Sequence, residues 1–277
     1  MSSSQQKWSL TAHLLSTNSS LFASATQHPF LLAAAHGTLP KDTLSRWLAN
    51  DRLYIHSYIR AAGKLLESIE LPIQTGSSPS ETESFEIQLV DWLIEALVAV
   101  RREERMFLDV SERYGLSLEL GSSEIGVAAG GKLPGLVIIQ EAFKNIVPAK
   151  QELSTRSVEG TEPKRLPWLE GAVTFWGTER CYLDAWSWAK ANEPESKDVR
   201  EDADGGALRK EFIPNWSSKG FRQFVEKLGG LIDEAVGKEL EKVEGEERDG
   251  VKGEILERIE GKWKTLLEGE KAFWPDI

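Results

Sequence analysis

The chain has 277 residues, a formal net charge of −11, and 40% hydrophobic against 28% charged residues. That is the composition of a globular protein large enough for one sizeable core, and the acidic surplus argues against nucleic acid or an anionic membrane as the main partner. No apolar run reaches the roughly 18 residues a membrane span needs, the opening MSSSQQKWSL has no apolar leader region, and a single cysteine, Cys181, excludes an internal disulfide or a thiolate metal cluster, so the expectation is a cytoplasmic protein.

Residues 1 to 7 read as a disordered tip, and residues 8 to 277 as one domain. Residues 9 to 27 read as a helix with Leu10, Leu14, Leu15, Phe22 and Ala25 inward. HPF at 28 to 30 starts a short helix, which GTLP at 37 to 40 ends. The next stretch, 43 to 70, carries a long apolar stripe: Leu44, Trp47, Leu48, Tyr54, Ile55, Tyr58, Ile59, Ala62, Leu65 and Ile69 recur every three or four residues. Thr38 or Asp42 can cap it. Asp51 falls inside that stripe, where a carboxylate loses hydration and needs partners or a purpose.

LPIQTGSSPSETES, 71 to 84, reads as a polar loop with a helix cap at Ser80 or Thr82. A second long helix is expected from Phe85 to Arg113, with Glu103 and Glu104 interrupting its stripe. Residues 115 to 135 are Gly-rich. Gly126 to Lys132 has phosphate-loop spacing, but Leu133 replaces the required Ser or Thr and no strand precedes it, so it reads as an ordinary loop. Leu136 to Val147 reads as a shorter helix and 149 to 167 as a charged connector.

The helix expected from Trp168 to Ala191 has Ala172, Phe175, Trp176, Tyr182, Leu183 and Trp186 inward, with Glu179 at its centre. The acidic stretch 192 to 206 reads as a solvated loop. A helix over 217 to 237, a charged break, and a last helix over 254 to 274 with Glu270 in its inner face complete the chain. No segment alternates with period two, so the fold class is all-α, a single-domain multi-helix bundle.

The same irregularity thus recurs on four helices: Asp51, Glu103 or Glu104, Glu179 and Glu270. Each has aromatic residues one turn away. Carboxylates gathered in an aromatic cavity have their pKa values split, which suits acid/base work. A di-metal centre in a bundle wants Glu-x-x-His pairs, and none of His13, His28, His36 and His56 follows a Glu at that spacing. The expectation is no metal and no cofactor. Cys181 lies two residues from Glu179 and so points well away from it on a helix. It reads as a buried small hydrophobe.

HPFLLAAAHGTLPKDTLSRWLANDRLYIHSYIRA, FIPNWSSKGFRQFVEKLGGLIDE and the terminal EKAFW together resemble the TenA family, the thiaminase II-like proteins of the haem-oxygenase-like fold. The resemblance covers residues 20 to 70 and 212 to 274 well and is loose between. It implies a hydrolase of aminopyrimidine thiamin-breakdown products and a pyrimidine-like ligand, and the family's habit implies a homo-oligomer. Asp51 would orient the pyrimidine amino group and Glu270 would shuttle the proton to the leaving amine. Tyr54, Trp47, Tyr182 and Phe273 would bind the ring. The family's cysteine lies four residues before a tyrosine. Counting back from Tyr182 gives Thr178, and Glu179 is one residue from that place. The resemblance therefore implies a carboxylate-assisted reaction with Glu179 as the third catalytic residue. The alternative is a relative that kept the fold and binds a small molecule or a partner without turnover.

Overall fold

The computed structural model describes residues 8–71, 84–123, 126–127, 130–146, 164–195 and 198–277. The expected caps Ser80 and Thr82, the N-terminal tip and most of the 149 to 167 connector lie outside these residues. The helices are α1 (Leu10–Thr17), α2 (Ser19–Thr26), α3 (Pro29–Ala35), α4 (Lys41–Ser68), α5 (Phe85–Tyr114), α6 (Pro134–Lys144), α7 (Leu169–Ala191), α8 (Ile213–Trp216), α9 (Lys219–Glu241) and α10 (Gly245–Phe273). A two-residue antiparallel pairing, Ser122–Ser123 with Gly126–Val127, is the extent of strand among the described residues, so the all-α expectation holds.

Local chemistry sets the boundaries. The Ser9, Ser84 and Ser218 side chains accept hydrogen bonds from the first turns of α1, α5 and α9. Gly115 ends α5 at φ 63°, a left-handed cap that glycine adopts without strain. The helix read over 9 to 27 is two helices, broken at Asn18. Neither Thr38 nor Asp42 caps α4: Pro40 occupies the N-cap position with no side-chain bond, and Asp42 sits in the first turn.

Two larger corrections follow from burial. The acidic stretch 192 to 206 is not uniformly solvated. Asp202 and Asp204 are buried, Asp202 pairs with buried Arg209 at 2.7 Å, and the Asp204 carboxylate accepts the Gly206 and Leu208 amides at 2.8 Å each. Charge composition alone does not reveal that an arginine seven residues later neutralises the buried acid. A Cβ on Gly37, at φ 62°, would lie 2.0 Å from Asp202 Oδ1, so that turn docks on the same pair. The charged break before the last helix is itself helical: α10 starts at Gly245. Its first turns are exposed, and Glu, Lys and Arg are good helix formers, so polarity did not mark an end.

α10 packs against α6, α7 and α2, α9 against α7, and α4 against α5 and α6, while α4 meets α7 and α10 through the side chains of the shared core. The N-terminal helices are held by indole donors on and just after α10: Trp263 Nε1 donates to Leu14 O at 2.9 Å and Trp274 Nε1 to Ala25 O at 2.7 Å. An aromatic cluster fills the centre, where Trp47 touches Phe30, Trp186, Trp216, Phe273 and Trp274 with centroids 5.5 to 6.0 Å away.

Helices α6 and α10 approach closely, backbone to backbone. A Cβ on Gly135 would fall 2.2 Å from both Gly269 O and Phe273 N, and one on Gly269 would fall 2.8 Å from Ile139 Cγ1. These contacts flank Glu270, so the approach also sets where that carboxylate stands. Gly135→Ala is expected to lower stability by roughly 2–4 kcal/mol, because backbone must move to admit the methyl group. Urea denaturation checks this against Gly220→Ala, whose Cβ meets nothing within 4 Å.

Candidate functional site

Asp51 stands nearly three turns into α4 with Tyr54 and Tyr58 three and seven residues on, which puts all three on the inward face. The face meets α7, which presents Thr178, Glu179 and Tyr182, and α5, which presents Val100 and Glu103. Trp216 at the end of α8 and Phe221 in α9 close it. These residues and Ile55 line a cavity of about 50 Å³, room for a few water molecules or, with slight adjustment, one compact ring.

Four carboxylates, three on the cavity wall and Glu270 behind Tyr54, meet four aromatic donors. Tyr182 Oη donates to Asp51 Oδ1 and Trp216 Nε1 donates to Glu103 Oε1, both by short bonds. Tyr58 Oη donates to Glu179 Oε1 at 2.6 Å, and Tyr54 Oη donates to Glu270 Oε1 at 2.8 Å. In every pair donor and acceptor come from different helices. No lysine, arginine or histidine is among the lining residues, so the charge is met by neutral hydrogen bonds and not by ion pairs.

Burial therefore dominates the proton affinities. Asp51 is pushed well above the carboxylate range, first by loss of hydration, then by the Glu103 and Glu270 charges, against the opposing bond from Tyr182. Loss of hydration raises Glu103 to about 7 against the Trp216 bond. Burial raises Glu179 to about 8, the Tyr58 bond opposing and the Glu103 charge adding. Burial likewise raises Glu270 to about 8, the Tyr54 bond opposing and the Glu179 charge adding. Tyr54, Tyr58 and Tyr182 are all pushed upward, chiefly by burial, and remain phenols.

The structure separates the two candidates on α5. Glu103 faces the cavity. Glu104 is buried elsewhere, where Arg52 Nε at 3.1 Å, His56 Nε2 at 2.7 Å and Arg101 surround one carboxylate and tie α4 to α5. Glu270 is 1% exposed and stands behind Tyr54 without lining the cavity, and its Oε2 has no hydrogen-bond partner among the described residues. Trp47 and Phe273 also lie off the cavity wall: Trp47 is the centre of the aromatic core, and Phe273 backs Tyr54 at 5.5 Å between centroids. Asp51, Tyr54, Glu179 and Tyr182 are brought together.

Tyr58, Glu103 and Trp216 complete the wall. Tyr58 was legible as the residue one turn beyond Tyr54 on the same stripe, and Trp216 as the tryptophan of the FIPNWSS motif. The choice of Glu103 over its neighbour needed the packing of α5. Thr178 lines the cavity, but its hydroxyl donates to Phe175 O at 2.8 Å. Cys181 is buried, does not line the cavity, and has its thiol pKa pushed well up by burial. Among the described residues no group of three His, Cys, Asp or Glu side chains has the arrangement of a metal site, and no helix is long and apolar enough to cross a membrane.

The raised acids set a stability slope. Each holds its proton in the folded state and loses it near the ordinary carboxylate range when unfolded, so folding gains from low pH. Stability is expected to fall as pH rises from about 4.5 through about 8, by up to ~1.4 kcal/mol per unit per group. Glu270→Gln should flatten that slope and raise the melting temperature at about pH 8. Thermal unfolding across pH for both proteins reads this, and a steeper slope in the variant would contradict it.

Residues 18–127 match the model of the TENA/THI-4/PQQC family. A Fusarium pseudograminearum protein described as a probable transcription factor is 26% identical over 254 residues, covering 82% of this chain and 45% of that protein. The chain thus spans about half the length of that relative. A Glycine max protein described as a probable bifunctional TENA-E protein is 22% identical over 243 residues, covering 86% of each chain. Among solved structures, a TenA homologue from Pyrococcus furiosus superposes with a TM-score of 0.60 at 19% identity, covering 95% of this chain and 97% of that one. A protein of Silicibacter sp. TM1040 described as a TenA family transcription regulator gives 0.59 at 14% identity, covering 95% and 94%.

Proposed function

We propose that this TenA-like chain, matched to the family over residues 18–127 and sharing the fold of TenA homologues, hydrolyses an aminopyrimidine of thiamin breakdown in the carboxylate cavity. One observation carries the reading: the lining joins acceptor carboxylates and aromatic rings and offers no fixed cation. Such a space suits a small ring rich in N–H donors, since each donor replaces a hydration contact that the carboxylates lost.

The roles follow from position. Asp51 and Tyr182 accept and orient the ring amino group. Tyr54, Tyr58 and Trp216 bound the ring faces. Glu179, on the cavity wall, takes a proton from water as its oxygen attacks the carbon bearing the leaving amine. The carbon–nitrogen bond breaks as the new carbon–oxygen bond forms. The Tyr54 hydroxyl gives its proton to the departing nitrogen and recovers one from Glu270 behind it. The products are the hydroxymethyl pyrimidine and ammonia, with Glu179 protonated and Glu270 ionised until solvent resets them. Glu103 sets the field felt by Asp51 and Glu179.

A second reading, binding without turnover, is favoured by Thr178 standing where the family's thiol is expected and being committed to a backbone carbonyl. Incubation with the aminopyrimidine and assay for the hydroxymethyl product separates the two. The hydrolase reading expects product, a kcat about 100-fold lower in both Glu270→Gln and Tyr54→Phe, and a KM about 10-fold higher in Asp51→Asn. Binding by calorimetry with no product supports the second reading. Product undiminished in Glu270→Gln contradicts the mechanism.

The pH profile is a separate test. Turnover needs Glu179 ionised and Glu270 protonated, so kcat should rise as Glu179 loses its proton and fall as Glu270 loses its own, with a maximum near about pH 8. A rate that is flat from about pH 5 to 9 would contradict these roles.

A further inference from the structure

We propose that a groove on the outer side of Phe143 is a binding site for a phosphate-class anion. The groove has a volume of about 240 Å³, and its polar walls are Ser57, Arg60, Lys64, Lys132, Gln140 and Lys144. It is separate from the carboxylate cavity. Phe143 stands between them, packing on Tyr54 and Tyr58 edge-on with centroids 5.7 and 5.9 Å away. The inference does not depend on what the inner cavity does.

The groove gathers charge that no described lining residue neutralises. Arg52, His56, Arg60 and Lys64 step by four along α4 and form one basic stripe on an acidic chain. Like charges at that spacing, as on Arg60 and Lys64, repel. The first two share the Glu104 carboxylate. The last two turn into the groove, where no carboxylate is among the lining residues. Lys64 Nζ donates to the Lys144 carbonyl at 3.1 Å, and Lys132 Nζ donates to Gln140 Oε1 at 2.8 Å, both neutral acceptors. Lys144 reaches Glu141 at 3.3 Å, a contact between two exposed side chains. Among the described residues, no carboxylate pairs with Arg60, Lys64 or Lys132.

The groove is also built, not merely charged. Gln140 Nε2 donates to the buried Ser57 Oγ at 2.9 Å, and Ser57 Oγ donates to Leu53 O at 2.9 Å. That chain fixes the Gln140 amide and, through it, the Lys132 ammonium. Lys132 is the residue that gave the Gly-rich loop its phosphate-loop spacing. Its loop lacks that motif's strand and hydroxyl, yet its charge arrives beside those of Arg60 and Lys64. A concave wall carrying four cations focuses a positive potential, and lysine and arginine are the side chains that meet tetrahedral oxyanions.

Calorimetric titration of the full chain with inorganic phosphate at constant ionic strength tests the site. Saturable one-site binding is expected, weakened at least about 10-fold in Arg60→Ala and in Lys64→Gln, and unchanged in Lys227→Ala, a surface lysine paired with Glu95 on the α5–α9 side. Arg60 is exposed, and a melting temperature equal to that of the unmutated chain shows that its variant reads binding and not folding. Phenyl phosphate distinguishes the sources. Tighter binding than inorganic phosphate assigns the groove to a phosphate ester whose organic part fills it, and equal binding assigns it to the free ion. Absence of saturation at millimolar phosphate, or equal binding by all variants, would overturn the proposal.

Discussion

The structure depends on a set of acids that are buried without counter-charges. Asp51, Glu103, Glu179 and Glu270 each take one hydrogen bond from a phenol or an indole on a different helix. A neutral donor does not neutralise a carboxylate as an arginine does, so loss of hydration wins and all four proton affinities rise. The helices are thus cross-tied by bonds that hold only if both ends stay in register. The close approach of α6 and α10 at Gly135 and Gly269 keeps the Glu270 end of that register.

Elsewhere the chain handles buried charge the ordinary way. Asp202 has Arg209, and Glu104 has Arg52, His56 and Arg101. Glu103 and Glu104 are neighbours in sequence, yet one is placed among aromatic donors and the other among cations. The contrast identifies the central cavity as a place where ionisation is suppressed by arrangement. An acid there can give a proton at neutral pH, and an acid with its proton removed is a stronger base than in water. Glu270 points the same way: its Oε1 takes the Tyr54 bond, while its buried Oε2 has no hydrogen-bond partner among the described residues and gains nothing that would stabilise a charge.

Much of the fold was legible because the long helices carry clean stripes. Asp51 and Tyr54 on α4, and Tyr182 on α7, fall where 3.6-residue spacing puts them. The irregularities within those stripes marked the buried acids, and the TenA resemblance is borne out by the family match over residues 18–127, which contains the HPF motif, and by the fold. What was not legible depended on partners far along the chain. Nothing local tells that Asp202 finds Arg209, or that Trp47, an aromatic one turn before Asp51, turns away into a cluster of indoles. The early start of α10 was hidden because a charged helix and a charged loop have the same composition. Glu270 was found by pattern, but its place behind Tyr54 required the packing of α4 against α10.

The central claim is that the cavity keeps its carboxylic protons at neutral pH, and infrared difference spectroscopy observes those protons directly. The carbonyl stretch of a protonated carboxylic acid is expected in the folded protein at about pH 6.5, fading as pH is raised through about 8 and diminished in both Glu270→Gln and Glu179→Gln. A folded protein that shows no such band at about pH 6.5, where ordinary carboxylates are ionised, would contradict the account.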